Sequence, residues 1–147
     1  MALQATVLRL MTITEAFCVG RLVELADLSS EANAASPRRA MLDDALMHAS
    51  GSWQAMERAF KDWHSVKPSW SSLRGPTEVR NAVAHGLGAL THRQKLSRTA
   101  TVSRINSVGA GVNEFDRIRL DPAIVTAIAE VCATFIRDLD ARSFREF

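Results

Sequence analysis

The chain has 147 residues, of which 47% are hydrophobic and 23% charged, an ordinary composition for one globular domain spanning residues 1–147. No apolar run approaches the roughly 20 residues that span a bilayer, so we expect no membrane segment. The apolar start is interrupted by Arg9 and favours a helix over a signal peptide. Cys18 and Cys132 form no CxxC motif, which favours reduced thiols and a cytoplasmic protein.

The first half of the chain predicts three helices. Apolar residues recur at helical spacing through residues 3–28, which indicates one long helix before a polar loop. Ser36 followed by Pro37 is typical of an N-cap and a first helical position, and Gly51 should end that second helix. A short third helix follows. This helix contains Trp53 and Trp63, and Trp70 lies in the loop after it. We expect the three tryptophans in the core rather than as a base-stacking platform.

The second half predicts two more helices with an insert between them. Gly86 and Gly88 should end or kink a fourth helix, since glycine costs about 1 kcal/mol in a helix interior. Residues 99–120 alternate partially and contain a GAG turn. Asp121 caps a last amphipathic helix that starts at Pro122. We therefore predict an all-α fold, an antiparallel up-down bundle of four to five helices with a non-helical or β-hairpin insert near residues 99–120.

Positive charge is concentrated in residues 73–104, which hold six cations and one acid, a charge of +5 that leaves −3 for the rest of a +2 chain. Such a cluster attracts polyanions, and phosphate contacts dominate nucleic-acid affinity. A solvated basic face is the alternative interpretation. The candidate RNA contacts in this window are Arg74, His92, Arg93, Lys95 and Arg98.

The hexapeptide RNAVAH, residues 80–85, is the strongest candidate site. On a helix, Asn81 and His85 lie one turn apart on one face, and the long side chain of Arg80 reaches over the same patch. Arginine suits a phosphate whose negative charge grows in a transition state, and histidine can transfer a proton near neutral pH. A histidine at a helix C-terminus can equally be a partner of the helix dipole, so spacing alone leaves enzyme and non-enzyme nearly balanced.

Other residues add less to the site. Glu15 lies among apolar neighbours on the first helix and could pair with Arg80 and orient it, although an exposed acid is equally plausible. His85 and His92 are seven residues apart across two glycines, a poor pattern for zinc. No P-loop, GxGxxG or GxSxG motif is present in the sequence. We therefore expect a site without a metal or a cofactor.

RNAVAHG in a basic, all-helical chain of this size resembles the HEPN superfamily of ribonucleases. Their motif is an arginine, a polar residue, three variable positions and a histidine, matched here by Arg80, Asn81, residues 82–84 and His85. The glutamate-bearing first helix at residues 14–17, the tryptophan-containing middle and the continuation GLGALTHRQ look like the branch called RiboL-PSP-HEPN. The resemblance covers most of the chain, and the hexapeptide is its specific part.

The resemblance implies a metal-independent endoribonuclease that leaves 2′,3′-cyclic phosphate and 5′-hydroxyl ends. Arg80 would stabilise the phosphate, His85 would transfer protons, and Asn81 would orient the imidazole or donate to a phosphate oxygen. It also implies a homodimer with the active site at the subunit interface, because one motif supplies one imidazole. A role as a toxin or antiphage effector, with an antitoxin or regulatory partner protein, follows by family analogy.

Two other functions stay open. One is a non-catalytic dimerisation or nucleotide- or RNA-binding module within a larger system, which would not need all of Arg80, Asn81 and His85. The other is a small DNA-binding or antitoxin-like helical protein, which is disfavoured because the sequence has no helix-turn-helix pair with a basic recognition helix.

Overall fold

The computed structural model describes residues 1–29 and 37–144. This part of the chain is mostly helical and contains one small two-stranded antiparallel sheet, which confirms the predicted all-α class with a small hairpin. It contains seven α-helices, so the predicted number of four to five was too low. The additional helices are short segments on either side of Ser97 that the sequence pattern did not resolve.

The elements follow one another with short connections. The helices are α1 Ala2–Ser29, α2 Pro37–Ala49, α3 Trp53–His64, α4 Arg74–Gly86, α5 His92–Leu96, α6 Arg98–Asn106 and α7 Pro122–Ser143. A 3-10 turn, Trp70–Leu73, precedes α4, and the two strands are β1 Gly111–Val112 and β2 Ile118–Arg119.

The chain divides into two compact units. Unit 1 comprises Met1–Thr14 and Ser69–Phe135, and unit 2 comprises Glu15–Pro68 and Ile136–Phe147. The expectation of a single domain stays a prediction. The whole hexapeptide and all of the candidate RNA contacts belong to unit 1.

Helix starts agree with the capping chemistry in the sequence. Helix α2 begins at Pro37 as predicted, whereas its proposed cap Ser36 lies outside the described residues. The Ser52 hydroxyl accepts a hydrogen bond from the Ala55 amide at 3.1 Å at the start of α3. The Asp121 carboxylate accepts one from the Ile124 amide at 2.9 Å at the start of α7, which confirms the predicted cap.

Both units contain buried apolar residues. The core of unit 1 includes Val7, Met11, Val79, Ile105, Ile128 and Phe135, and that of unit 2 includes Leu22, Met56, Phe60 and Leu139. Trp70 is buried in unit 1, with its ring centroid 4.9 Å from that of Phe135. Trp53 is half-buried and Trp63 is 43% exposed, so the expectation of core tryptophans holds fully only for Trp70.

The insert near residues 99–120 is only partly as predicted. Its second half forms the hairpin, in which Gly111 pairs with Arg119 and Val112 with Ile118. Its first half is the helix α6, where a non-helical segment was one of the expectations. The pattern concealed this helix because Thr101 and Ile105 are its only buried residues, too few to produce a clear apolar stripe.

Helix α1 is long and apolar enough between Ala2 and Leu28 to cross a membrane by length and composition alone. This differs from the expectation that no segment would qualify. Core helices of soluble proteins and N-terminal signal sequences satisfy the same criterion.

Candidate active site on helix α4

Helix α4 separates a buried face from an exposed one. Val79, Ala82 and Val83 are buried at spacings of three and four residues and hold the helix in the core of unit 1. Arg80 and Asn81 are half-buried, and His85 is exposed. The side chains that could perform chemistry therefore lie away from the core, where a substrate can reach them.

The structure brings the three polar residues of the hexapeptide together. Nη1 of Arg80 donates a hydrogen bond to Oδ1 of Asn81 at 3.0 Å and lies 3.5 Å from Nε2 of His85. The arrangement places the imidazole of His85 beside a fixed cation. We call these three residues the α4 cluster.

The end of α4 fixes the backbone directly after His85. The helix ends at Gly86, as the glycines predicted, and the Gly88 amide donates to the Ala82 carbonyl at 3.0 Å. The residue in the left-handed conformation at this cap is Leu87, with a φ of 51°, where glycine is usual. Leu87 is also 81% exposed, so an apolar side chain protrudes two residues beyond the imidazole.

A polar network centred on Glu78 fixes α4 against its neighbours. Nε2 of Gln94 donates to the carbonyl and to Oε2 of Glu78 at 2.9 and 2.8 Å, and Nη1 of Arg104 donates to Oε1 of Glu78 at 2.9 Å. Gln94 is buried, and its side chain also completes a capping box with Thr91 at the start of α5. Glu78 lies two residues before Arg80, so this network holds the turn of α4 that carries the cluster.

Close backbone packing reinforces that network. A Cβ atom added to Gly75, in the first turn of α4, would lie 2.7 Å from the Arg104 carbonyl oxygen and 2.7 Å from Oγ of Ser107. Only glycine allows α4 and α6 to approach this closely. The orientation of the α4 cluster therefore depends on a tertiary contact at the other end of the helix.

Three of the six cations in the basic window form ion pairs in the fold. Arg104 pairs with Glu78 at 2.9 Å, while Arg98 and Lys95 pair with Asp116 at 2.9 and 3.6 Å. The hydrogen bond from Arg98, helped by the charges of Arg98 and Lys95, lowers the pKa of the Asp116 carboxyl below its usual value. Asp116 comes from outside the window, which is why the count of charges did not include it. Lys95, Arg98 and Asp116 form what we call the Asp116 cluster.

The remaining candidate RNA contacts are accessible. Arg74, His92 and Arg93 are exposed, and within the described part of the chain neither arginine forms an ion pair with a carboxylate. Their contact with RNA stays a prediction. The structure shows only that they are available for phosphate.

Arg117 is a candidate that the sequence analysis missed. Its Nη2 donates to the Leu87 carbonyl at 3.3 Å, and its backbone forms a bridge with Ala89. A cation thus lies beside the end of the motif helix although it is 32 residues beyond His85 in the sequence. The one available signal was the alternation of Arg117 and Arg119 in the insert, which places both on one side of a strand.

Glu15 belongs to unit 2, and Arg80 to unit 1. Glu15 is half-buried on α1. Its pairing with Arg80 stays a prediction.

In residues 1–29 and 37–144, no group of three or more His, Cys, Asp or Glu side chains is arranged to hold a metal ion. Comparisons with protein-family models, with curated proteins and with solved structures found no match. The features of the chain that bear on its function are therefore the geometry of the α4 cluster and the sequence of the hexapeptide.

Proposed function

We propose that this protein is a metal-independent endoribonuclease whose active site is the α4 cluster. The observation that carries the proposal is the contact of one guanidinium nitrogen of Arg80 with both half-buried Asn81 and exposed His85 on one helix. This geometry places a fixed cation, an amide and an imidazole at one point. RNA is the substrate that these three groups suit best, since it offers a phosphodiester with its own adjacent nucleophile.

In the proposed reaction, Nε2 of His85 takes the proton from a ribose 2′-hydroxyl, and the 2′-oxygen attacks the adjacent phosphorus. The bond from phosphorus to the 5′-oxygen breaks, and that oxygen takes a proton from an acid. The products are a 2′,3′-cyclic phosphate and a 5′-hydroxyl, and no water is consumed. The proton gained by the base balances the proton lost by the acid.

Arg80 stabilises the charge that develops on the phosphate oxygens. Its guanidinium has five N–H donors, and in the described part of the chain its contacts are those with Asn81 and His85. The other donors can face a bound phosphate. Asn81 holds the guanidinium through its Oδ1, so its role is to position Arg80 rather than to react.

A second copy of the chain would complete the site. The cleavage benefits from a base and an acid, whereas the α4 cluster contains one imidazole. A two-fold homodimer would bring a second His85 to the first and would add a second positive field. The proposal therefore includes a homodimer, and sedimentation of the purified protein should give the mass of two chains. A monomer that cleaves RNA at full rate would contradict this part.

The central experiment compares the parent protein with His85→Ala and Arg80→Ala on structured and unstructured RNA in EDTA. Removal of a general base or acid costs about 10²- to 10⁴-fold in rate, and loss of a charge-stabilising donor about 10²- to 10³-fold. We expect cleavage by the parent alone, with cyclic phosphate ends. No cleavage by the parent, or equal cleavage by all three proteins, would refute the proposal.

A matched control is His92→Ala. His92 is an exposed histidine of unit 1 that is seven residues from His85 and outside the α4 cluster. It should leave the chemical step intact and change at most the affinity for RNA. A loss equal to that of His85→Ala would show that the assay does not report the cluster.

The cellular part of the proposal is a cytoplasmic toxin or antiphage effector that an antitoxin or regulatory protein restrains. This part rests on the resemblance of the hexapeptide alone. Expression of the parent in bacteria should slow growth, and His85→Ala should not. Equal growth of both strains would contradict a toxic role without bearing on cleavage by the purified protein.

A further inference from the structure

The tip of the hairpin presents one aromatic ring to solvent. Phe115 is 73% exposed although the backbone around it is well fixed. Oδ1 of Asn113 accepts hydrogen bonds from the amides of Phe115 and Arg117, both at 2.9 Å, and Asp116 is left-handed with a φ of 57°. A large apolar side chain is thus held outward by a turn in which the Asn113 side chain accepts two backbone hydrogen bonds.

The hairpin is tied to the backbone that follows the α4 cluster. The Leu90 amide donates to the Asp116 carbonyl, and the Ile118 amide to the Gly88 carbonyl, both at 2.8 Å. The guanidinium of Arg117 adds its bond to the Leu87 carbonyl. Phe115 therefore belongs to a segment that is fixed to the residues directly after His85.

The surroundings of the ring are positively charged. Arg117 and Arg119 are exposed on the strand that leaves the tip, and Lys95 and Arg98 reach the same tip through Asp116. Residues 113–119 also contain Glu114 and Asp116, so the tip with the two α5–α6 cations has four positive and two negative charges. An exposed ring with an excess of cations complements an unpaired nucleotide, which offers a base to stack on and a phosphate to bind.

We propose that Phe115 stacks on an unpaired base of the RNA, next to the nucleotides that the α4 cluster cleaves. This inference rests on the proposed ribonuclease function and specifies its substrate as single-stranded RNA. Bases in a duplex are stacked on each other and cannot stack on a protein ring, so an unpaired segment would be required. Stacking tolerates any base, so Phe115 would contribute affinity without base preference.

The test uses a short unstructured RNA with 2′-O-methyl groups, which has no 2′-hydroxyl nucleophile and therefore reports binding by the intact parent protein. Removal of a stacking ring weakens binding by about 5- to 150-fold. We expect this loss in Phe115→Ala and in Phe115→Leu, and recovery in Phe115→Trp. Binding of the same sequence annealed to its complement should not change.

Trp63→Ala is the matched control, because it removes a partly exposed aromatic ring from α3 in unit 2. It should bind the single strand as the parent does. Circular dichroism of every variant verifies the fold. Equal binding by Phe115→Ala and the parent would overturn the inference, and so would full binding by Phe115→Leu, since leucine keeps the apolar surface without a π-face.

Cleavage of ordinary RNA, measured in parallel, separates the two proposals. If the parent cleaves RNA and Phe115→Ala binds normally, the stacking inference fails and the ribonuclease stands. If the parent binds through Phe115 without cleaving, the ribonuclease fails and the binding role stands. If Phe115→Ala dissociates a homodimer and leaves RNA affinity unchanged, the ring belongs to a protein contact, and the inference is overturned.

Discussion

Two clusters in unit 1 contain cations and reach their arrangements in opposite ways. In the α4 cluster, Arg80, Asn81 and His85 are within six residues of one helix, so helix geometry alone brings them together. In the Asp116 cluster, Lys95 and Arg98 meet an acid that arrives from the hairpin. The first cluster keeps its cation available, and the second neutralises part of its charge. Local geometry thus builds a site for chemistry, and a tertiary contact adjusts the field around it.

Among the changes that compare the two clusters, Arg80→Lys has the largest expected effect, and it tests whether the α4 cluster acts through geometry or through charge. Lysine keeps the charge but has no planar fork that can contact Asn81, His85 and a phosphate together. We expect the cleavage rate to fall by about 100-fold or more. The initial rate on unstructured RNA measures it. The same exchange at exposed Arg93 is the control, and an Arg80→Lys variant with the parent's rate would show that charge alone suffices.

Gly75→Ala tests the close packing of α4 against α6 that supports the α4 cluster. The added methyl group would lie 2.7 Å from the Arg104 carbonyl oxygen, and such overpacking costs about 1–3 kcal/mol in the free energy of unfolding. We expect a lower Tm in a thermal melt. Gly20→Ala is the matched control, since its new Cβ would have no neighbour within 4 Å. Alanine in the middle of α1 should raise stability slightly, and equal losses in both variants would contradict the argument.

Asp116→Asn would leave the cations of the Asp116 cluster without an acid, as Arg80 is in the α4 cluster. Asparagine tolerates the left-handed backbone of residue 116 and removes the charge that holds Lys95 and Arg98. We expect tighter binding of single-stranded RNA and a salt dependence steeper by up to about 1.4, from about 0.7 for each phosphate newly neutralised. Affinity measured across a salt series gives this slope. Asp43→Asn removes the same charge from a pair with Arg39 in unit 2. If both variants show the same slope, net charge and not the cluster is responsible.

Leu87→Gly has the smallest expected effect. Leu87 caps the end of α4, and its carbonyl accepts a hydrogen bond from Arg117 of the hairpin. Glycine adopts the left-handed conformation of this cap without the steric cost that leucine incurs. We expect the free energy of unfolding to rise by up to about 1 kcal/mol, measured by urea denaturation. A decrease would mean that the exposed leucine side chain makes a stabilising contact. A decrease accompanied by slower cleavage would also link this residue to the orientation of His85.

Periodic and capping signals predicted the parts of the fold that depend on neighbours in sequence. The long first helix, the starts at Pro37 and Pro122 and the end of α4 at Gly86 all agree with the structure. Each follows from backbone hydrogen bonding and the placement of proline or glycine within a few residues. The sequence did not predict α6, because this helix buries few residues and has only a weak apolar pattern. Its stability comes from tertiary packing, including the close approach to Gly75.

The sequence by itself determined the composition of the candidate site, since a helix must place residues one and four positions apart on neighbouring faces. Only the tertiary structure decided which charges remain available around it. Glu78 holds Arg104, Asp116 holds Lys95 and Arg98, and Arg117 arrives beside Leu87. These partners are separated by 18 to 30 residues in their hydrogen bonds, and no helical or strand period connects such distances. Electrostatic pairing depends on distance in space, and folding alone sets that distance.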